Sequence, residues 1–126
     1  MDSSAVIAIL CDEPDAEHFA TAIESHSTRL MSAASLLEVS IVIESRYGKE
    51  GGRQLDLLLS KAQVKIESVT FEQAEMARSA FRSYGKGRHP AALNFGDCFS
   101  YALAKVSEEP LLFKGNDFSK TDIKQA

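Results

Sequence analysis

Four acidic residues sit where a lone carboxylate is hard to place. Glu38 lies inside Ser35-Leu36-Leu37-Glu38-Val39-Ser40-Ile41-Val42-Ile43, with no Lys or Arg three or four positions away on either side. Asp97 lies in Leu93-Asn94-Phe95-Gly96-Asp97-Cys98-Phe99-Ser100-Tyr101-Ala102-Leu103. Asp2 opens Asp2-Ser3-Ser4-Ala5-Val6-Ile7-Ala8-Ile9-Leu10, and Asp117 follows Pro110-Leu111-Leu112-Phe113-Lys114-Gly115-Asn116. An ionised carboxylate is costly to bury unless a cation or hydrogen-bond donors face it. Several in one pocket stay ionised together only with a divalent cation among them. Oxygen-only ligation selects Mg²⁺ or Mn²⁺ over zinc, and no His or Cys set with zinc spacing accompanies these acids. Such ions are completed by water and phosphate oxygens, and they activate water for in-line attack on a phosphodiester without a nucleophilic side chain.

Each acid also has a plainer reading. Asp2 suits a helix cap, Asp97 a first-turn acid favoured by the helix dipole, and Asp117 a turn or cap residue. Glu38 alone suits a hydrogen-bonded structural or an exposed glutamate as well as a ligand. The chemical reading therefore rests on convergence of the four. Most other acids, such as Asp12, Glu13, Asp15, Glu17, Glu108 and Glu109, have polar neighbours. Asp56 has Arg53 and Ser60 at helical spacing. Glu44 is the least clear exclusion, with Ser40, Ile41 and Tyr47 on its face.

A second chemical feature is a basic window. No acid occurs from Met76 to Gly96, while Arg78, Arg82, Lys86, Arg88 and His89 do. In a chain of formal net charge −4, such a window suits contact with a phosphate backbone, with Lys86 and Arg88 at its centre. A solvated helix face followed by a mobile loop accounts for it equally simply. Tyr84 and Phe95 have the chemistry to stack bases, Phe95 being the better candidate for the core. Lys114 stands near Asp117, positioned to touch phosphate or to balance the carboxylates.

The elements that must position these residues alternate. Helices are expected over Asp2–Leu10, Pro14 to about Ser25, Ala33–Tyr47, Gln54–Ala62, Phe71–Tyr84 and Phe95 to about Ser107. Strands are expected at Arg29–Ser32, Val64–Val69 and Leu111–Phe113, with Gly48–Gly52 a break and Gly85–Ala92 a basic loop. In the helix after Thr70, the buried face is read as Ala74, Ala77, Phe81 and Tyr84. Strands alternating with helices imply an α/β fold with a mostly parallel sheet covered on both faces. Ligands of such sheets bind at the carboxyl ends of the strands. Asp117 follows a strand, Asp97 starts a helix, and Glu38 lies about a turn into one, so all three belong near that edge.

The bulk properties agree with a single domain over residues 1–126. An apolar share of 44% and a charged share of 25% are globular values. No apolar run approaches the roughly 20 residues of a membrane helix, and no leader pattern opens the chain. Cys11 and Cys98 read as reduced core thiols of a cytoplasmic protein.

Taken together, Asp2-Ser3-Ser4-Ala5, Ala33-Ala34-Ser35-Leu36-Leu37-Glu38, Tyr84-Gly85-Lys86-Gly87-Arg88-His89-Pro90, Asn94-Phe95-Gly96-Asp97-Cys98 and Leu112-Phe113-Lys114-Gly115-Asn116-Asp117-Phe118 resemble the PIN-domain ribonucleases. The likeness is greatest to the VapC-type toxins of bacterial toxin–antitoxin pairs. It implies a three-layer α/β/α sandwich and a Mg²⁺- or Mn²⁺-dependent endoribonuclease. It also implies a homodimer and inhibition by a cognate VapB-type antitoxin. The family's acids fall on Asp2, Glu38, Asp97 and Asp117, and its hydroxyl residue after the first Asp on Ser3 or Ser4. The family has an apolar strand before its first Asp; here only Met1 precedes Asp2, so that strand is expected to be cut short. Two other readings stay open at this level: a non-catalytic RNA- or partner-binding relative, and a receiver-like phosphotransfer domain. The second lacks an acceptor acid at Ser32-Ala33-Ala34.

Overall fold

Side-chain caps start four of the five α-helices in the computed structural model, which describes residues 1–126. Asp2 caps α1 (Ser3–Leu10) and Ser32 caps α3 (Ala33–Lys61). Thr70 caps α4 (Phe71–Tyr84), and Asn94 caps α5 (Phe95–Ser107). Such a cap satisfies an amide that the helix itself leaves unpaired, and is worth about 1 kcal/mol. Only α2 (Ala16–Ser25) starts without one, two residues later than Pro14.

The strands are short. β1 (Leu30–Ser32) and β2 (Lys65–Glu67) pair in parallel, Leu30 with Lys65 and Ser32 with Glu67. On the other side of β1 the chain start takes the neighbouring position. The Met1 amine donates to the Leu30 carbonyl at 2.6 Å, and the Asp2 amide donates to the Leu112 carbonyl at 2.9 Å. Leu111 then bridges in parallel to Gln125. The expected α/β architecture is present, with a smaller sheet than expected. Leu111–Phe113 forms a single bridge and not a ladder strand, with Met1 and Asp2 between it and β1.

The parallel register explains the shape of α3. It holds Ser32 and Lys65 within roughly 10 Å of each other, whereas 29 helical residues laid straight span about 43 Å. The chain must double back between the strands, and it does so at Gly48, whose φ of 66° is open chiefly to glycine. Helix resumes at once on the far side, so the expected break over Gly48–Gly52 shrinks to one residue. Leu55 and Leu59 share a buried cluster with Val6, Met31, Val39 and Ile43.

A second cluster joins α4 and α5 through Ala77, Ala80, Leu93, Tyr101 and Ala102 to Leu111, Phe113 and Phe118. The buried face of α4 differs from the sequence expectation. Gln73, Ala77 and Ala80 are buried, while Ala74 and Phe81 face outward. Phe95, expected in the core, is 80% exposed. Leu37 and Ile41, one turn apart on α3, are also exposed. Cys98 is buried, Cys11 is half-buried, and neither is in a disulfide. No helix is long and apolar enough to cross a membrane.

Candidate metal centre

Helix starts bring the acids to one end of the molecule. Asp2 precedes α1, Glu38 lies in the second turn of α3, Asp97 is the third residue of α5, and Asp117 opens the 3-10 turn Phe118–Lys120. Asp2 is only 3% exposed, yet its carboxylate is well supplied with donors. Oδ2 accepts from the Ser4 amide at 3.1 Å and the Ser4 hydroxyl at 2.6 Å; Oδ1 accepts from the Ser100 hydroxyl at 2.6 Å. Glu38 reaches across from α3, and its Oε1 accepts from Ser3 Oγ at 2.6 Å. Its other oxygen lies against the backbone of Gly96, so close that a β-carbon built there would stand 2.8 Å from the Glu38 carboxyl carbon.

Asp97 does two things. Its Oδ2 accepts from the Asn94 amide at 3.0 Å while Asn94 Oδ1 accepts from the Asp97 amide at 2.9 Å, a reciprocal capping box. The plainer reading of Asp97 is thus realised, but with one oxygen only. Asp2 likewise serves as a cap. Asp117 occupies a cap position without making the side-chain bond, and it is exposed.

Electrostatics ties the four together. Burial pushes the Asp97 carboxyl up to about 6, against the opposing Asn94 amide, and the negative charges of Asp2, Asp117 and Glu38 push it the same way. None of the four forms an ion pair with Lys, Arg or His. Nor do three or more acids, histidines or cysteines close into a ready cage anywhere in the molecule. All the donors are hard oxygens, the charges of the other three acids reach Asp97, and no protein cation pairs with any of the four. A hard dication such as Mg²⁺ or Mn²⁺ fits that set; zinc, which favours nitrogen and sulfur, does not.

This geometry sets a pH dependence with a definite sign. The folded metal-free protein favours neutral Asp97, so this contribution to stability is complete below the ordinary carboxyl range. It is lost as pH rises through about 6. The expected result is a melting temperature that falls over that window without metal and falls less with millimolar Mn²⁺. A flat profile without metal, measured by thermal melts at pH 4 to 6.5, would count against the mutual repulsion of these acids.

The basic loop leads into the same end. Gly85 and Leu93 form a parallel bridge, the Lys86 amide donates to the Leu93 carbonyl, and Leu93 is followed by the α5 cap Asn94. Gly85–Ala92 is therefore pinned at both ends. Lys86 and Arg88 are exposed and free of ion pairs, with the Arg88 guanidinium 5.8 Å above the Phe81 ring. Tyr84 is not a free stacking platform, because it packs edge-on to His89 and against Tyr101. Phe95 is available, standing edge-on to Phe99.

Lys114 does something else than expected. Its ammonium pairs with Glu13 at 2.5 Å and Asp15 at 3.1 Å, in the turn between α1 and α2, and not with Asp117. Asp122 is held by Tyr101 and Lys105 on α5, so it anchors the C-terminal segment. Sequence reasoning missed Ser35, Ser100 and Gly96. One signal for the serines was available: each lies three residues from an acid, Ser35 before Glu38 and Ser100 after Asp97.

Comparison with known proteins agrees with this picture. The PIN domain family model matches residues 1–124. The chain is 59% identical to VapC ribonuclease Mb0640 of Mycobacterium bovis over 98% of its own length and 94% of that protein's. It is equally identical to Ribonuclease VapC of Mycolicibacterium smegmatis, over 98% and 95%. The crystal structure of Mycobacterium tuberculosis VapC20, titled a sarcin-ricin loop cleaving toxin, superposes with a TM-score of 0.79 at 17% identity, covering 99% of this chain and 95% of that one.

Proposed function

Because this chain belongs to the PIN-domain family, among its VapC ribonucleases, we propose that it is a Mg²⁺- or Mn²⁺-dependent endoribonuclease toxin whose ions are held by Asp2, Glu38, Asp97 and Asp117. The observation that supports the metal assignment is geometric: Glu38 lies against the Gly96 backbone in the first turn of the Asp97 helix, and none of the four acids is paired with a protein cation. When bound, the ion supplies charge neutralisation and Lewis acidity toward water and a phosphodiester. The four carboxylates would hold it in place. Ser3, Ser4 and Ser100 keep Glu38 and Asp2 in orientation. Lys86 and Arg88 hold the RNA backbone beside α5, which places the strand without reading its bases. The direct test is cleavage of RNA with Mg²⁺ or Mn²⁺, abolished by EDTA and restored by added metal. A chain that binds RNA and cuts none under any of these conditions would return the non-catalytic reading to favour. The phosphotransfer reading has no support from the family.

The partner assignments rest on exposed apolar surface. Leu37 and Ile41 on α3, and Phe71 and Phe95 on α4 and α5, are exposed apolar side chains. They suit association with a second copy and with a VapB-type antitoxin, in the cytoplasm, where free Cys11 and Cys98 stay reduced. Light scattering on the purified chain is expected to give twice 13.8 kDa. Phe95→Ser is expected to shift that mass toward a single chain. An unchanged dimer would move the interface away from Phe95.

A further inference from the structure

The three helices that carry Asp2, Glu38 and Asp97 also carry serines that bond across to one another's acids. Ser3, beside Asp2, donates to Glu38 on α3. Ser100, one turn after Asp97 on α5, donates to Asp2 at 2.6 Å. Ser35, one turn before Glu38 on α3, lies 3.1 Å from Ser100. Ser35 and Ser100 are 1% and 2% exposed, so neither hydroxyl has water as an alternative partner.

The proton direction along this chain follows from valence. An ionised carboxylate only accepts, so the single Ser100 hydroxyl proton is committed to Asp2 Oδ1. The bond between the two serines must then run from Ser35 to Ser100. On the other side of Asp2 the pattern repeats. Ser4 Oγ donates to Oδ2 and itself accepts from the Lys114 amide at 3.0 Å. Each Asp2 oxygen is thus gripped by a serine whose own oxygen is fed by a second donor. Rotation of the carboxylate breaks both grips at once.

From this arrangement we propose that Ser100, backed by Ser35, is a positioning residue that fixes the Asp2 carboxylate relative to Glu38 and Asp97. It acts by tying α3 and α5 to the first acid. The proposal rests on the reading of these acids as the holders of a divalent ion. Groups that orient metal-holding side chains typically contribute 10–100-fold to metal affinity.

The test is Mn²⁺ binding to the purified full chain, followed by titration calorimetry at neutral pH, with melting temperature measured on the metal-free proteins. Ser100→Ala is expected to weaken Mn²⁺ binding by about 10–100-fold. Ser35→Ala leaves the Ser100 hydroxyl in place, and is expected to weaken binding less than Ser100→Ala. Ser107→Ala deletes a hydroxyl that bonds only to the Leu103 carbonyl on α5, and is expected to bind as wild type. Ser100→Thr, which keeps the hydroxyl, is expected to recover most of the affinity. A role in packing alone would lower the melting temperature and leave the affinity of the folded protein unchanged, which overturns the proposal. If Ser100→Ala does not fold, Ser35→Ala decides alone: wild-type affinity there refutes the relay. A wild-type chain that takes up no Mn²⁺ refutes the metal reading together with this one, whereas equal binding by wild type and Ser100→Ala refutes this one only.

Discussion

Replacing Gly96 with alanine is expected to remove most RNA cleavage although no acid is substituted. On helix propensity alone the substitution is favourable by about 1 kcal/mol, since Gly96 lies inside α5. The added methyl, however, falls on the Glu38 carboxylate, 2.8 Å from its carbon and 3.0 Å from Oε1. Glu38 must swing away, and its 2.6 Å bond from Ser3 goes with it. A displacement of about 1 Å in a reacting constellation costs on the order of 100-fold in rate. Cleavage of a fluorescent RNA, read beside a thermal melt, separates this from unfolding. Wild-type rates in a well-folded Gly96→Ala protein would mean that the position of Glu38 does not matter to the reaction.

The second large effect carries two opposite signs in one variant. Asp97→Asn is expected to lower cleavage by more than the 10–100-fold typical of groups that only support a metal ligand. The same variant is expected to melt higher than wild type in metal-free buffer above pH 6. Asn keeps the size of the side chain, and its Oδ1 can accept from the Asn94 amide, so the capping box survives. What disappears is a charge that Asp2, Asp117 and Glu38 all oppose. Added Mn²⁺ should then stabilise wild type more than Asp97→Asn, since a ligand that binds only the folded state adds stability in proportion to its affinity. A metal-free Asp97→Asn protein that melts lower than wild type would show that the capping box outweighs the repulsion.

Elements set by local chemistry were legible in the sequence. α4 and α5 start where the pattern put them, at Phe71 and Phe95, and Gly85 stops α4 after Tyr84. Glu38 stood out in the sequence because apolar neighbours without a nearby Lys or Arg leave a carboxylate unexplained. What escaped was decided by tertiary partners. Alanine suits core and surface alike, so α4 could be turned by a third of a turn without offending its composition, and Phe81 ended outward beneath Arg88. Lys114 found Glu13 and Asp15 about a hundred residues away, acids whose polar neighbours had made them look uninvolved. Serines are ordinary in helices, and the one local sign that sets Ser100 apart from Ser107 is the acid three positions before it. Its role shows only where α1, α3 and α5 meet.

The Lys114 tether also changes how ionic strength would act on the enzyme. Its ammonium clasps the turn between α1 and α2 from outside, in solvent, where mobile ions weaken such attachments. The same residue's backbone steadies Ser4, and Asp117 lies three positions on. Brine would therefore loosen the segment bearing the last acid at the same time as it strips RNA from Lys86 and Arg88. The steepness of a salt titration would then exceed the tally of phosphates touched, by whatever share belongs to that clasp.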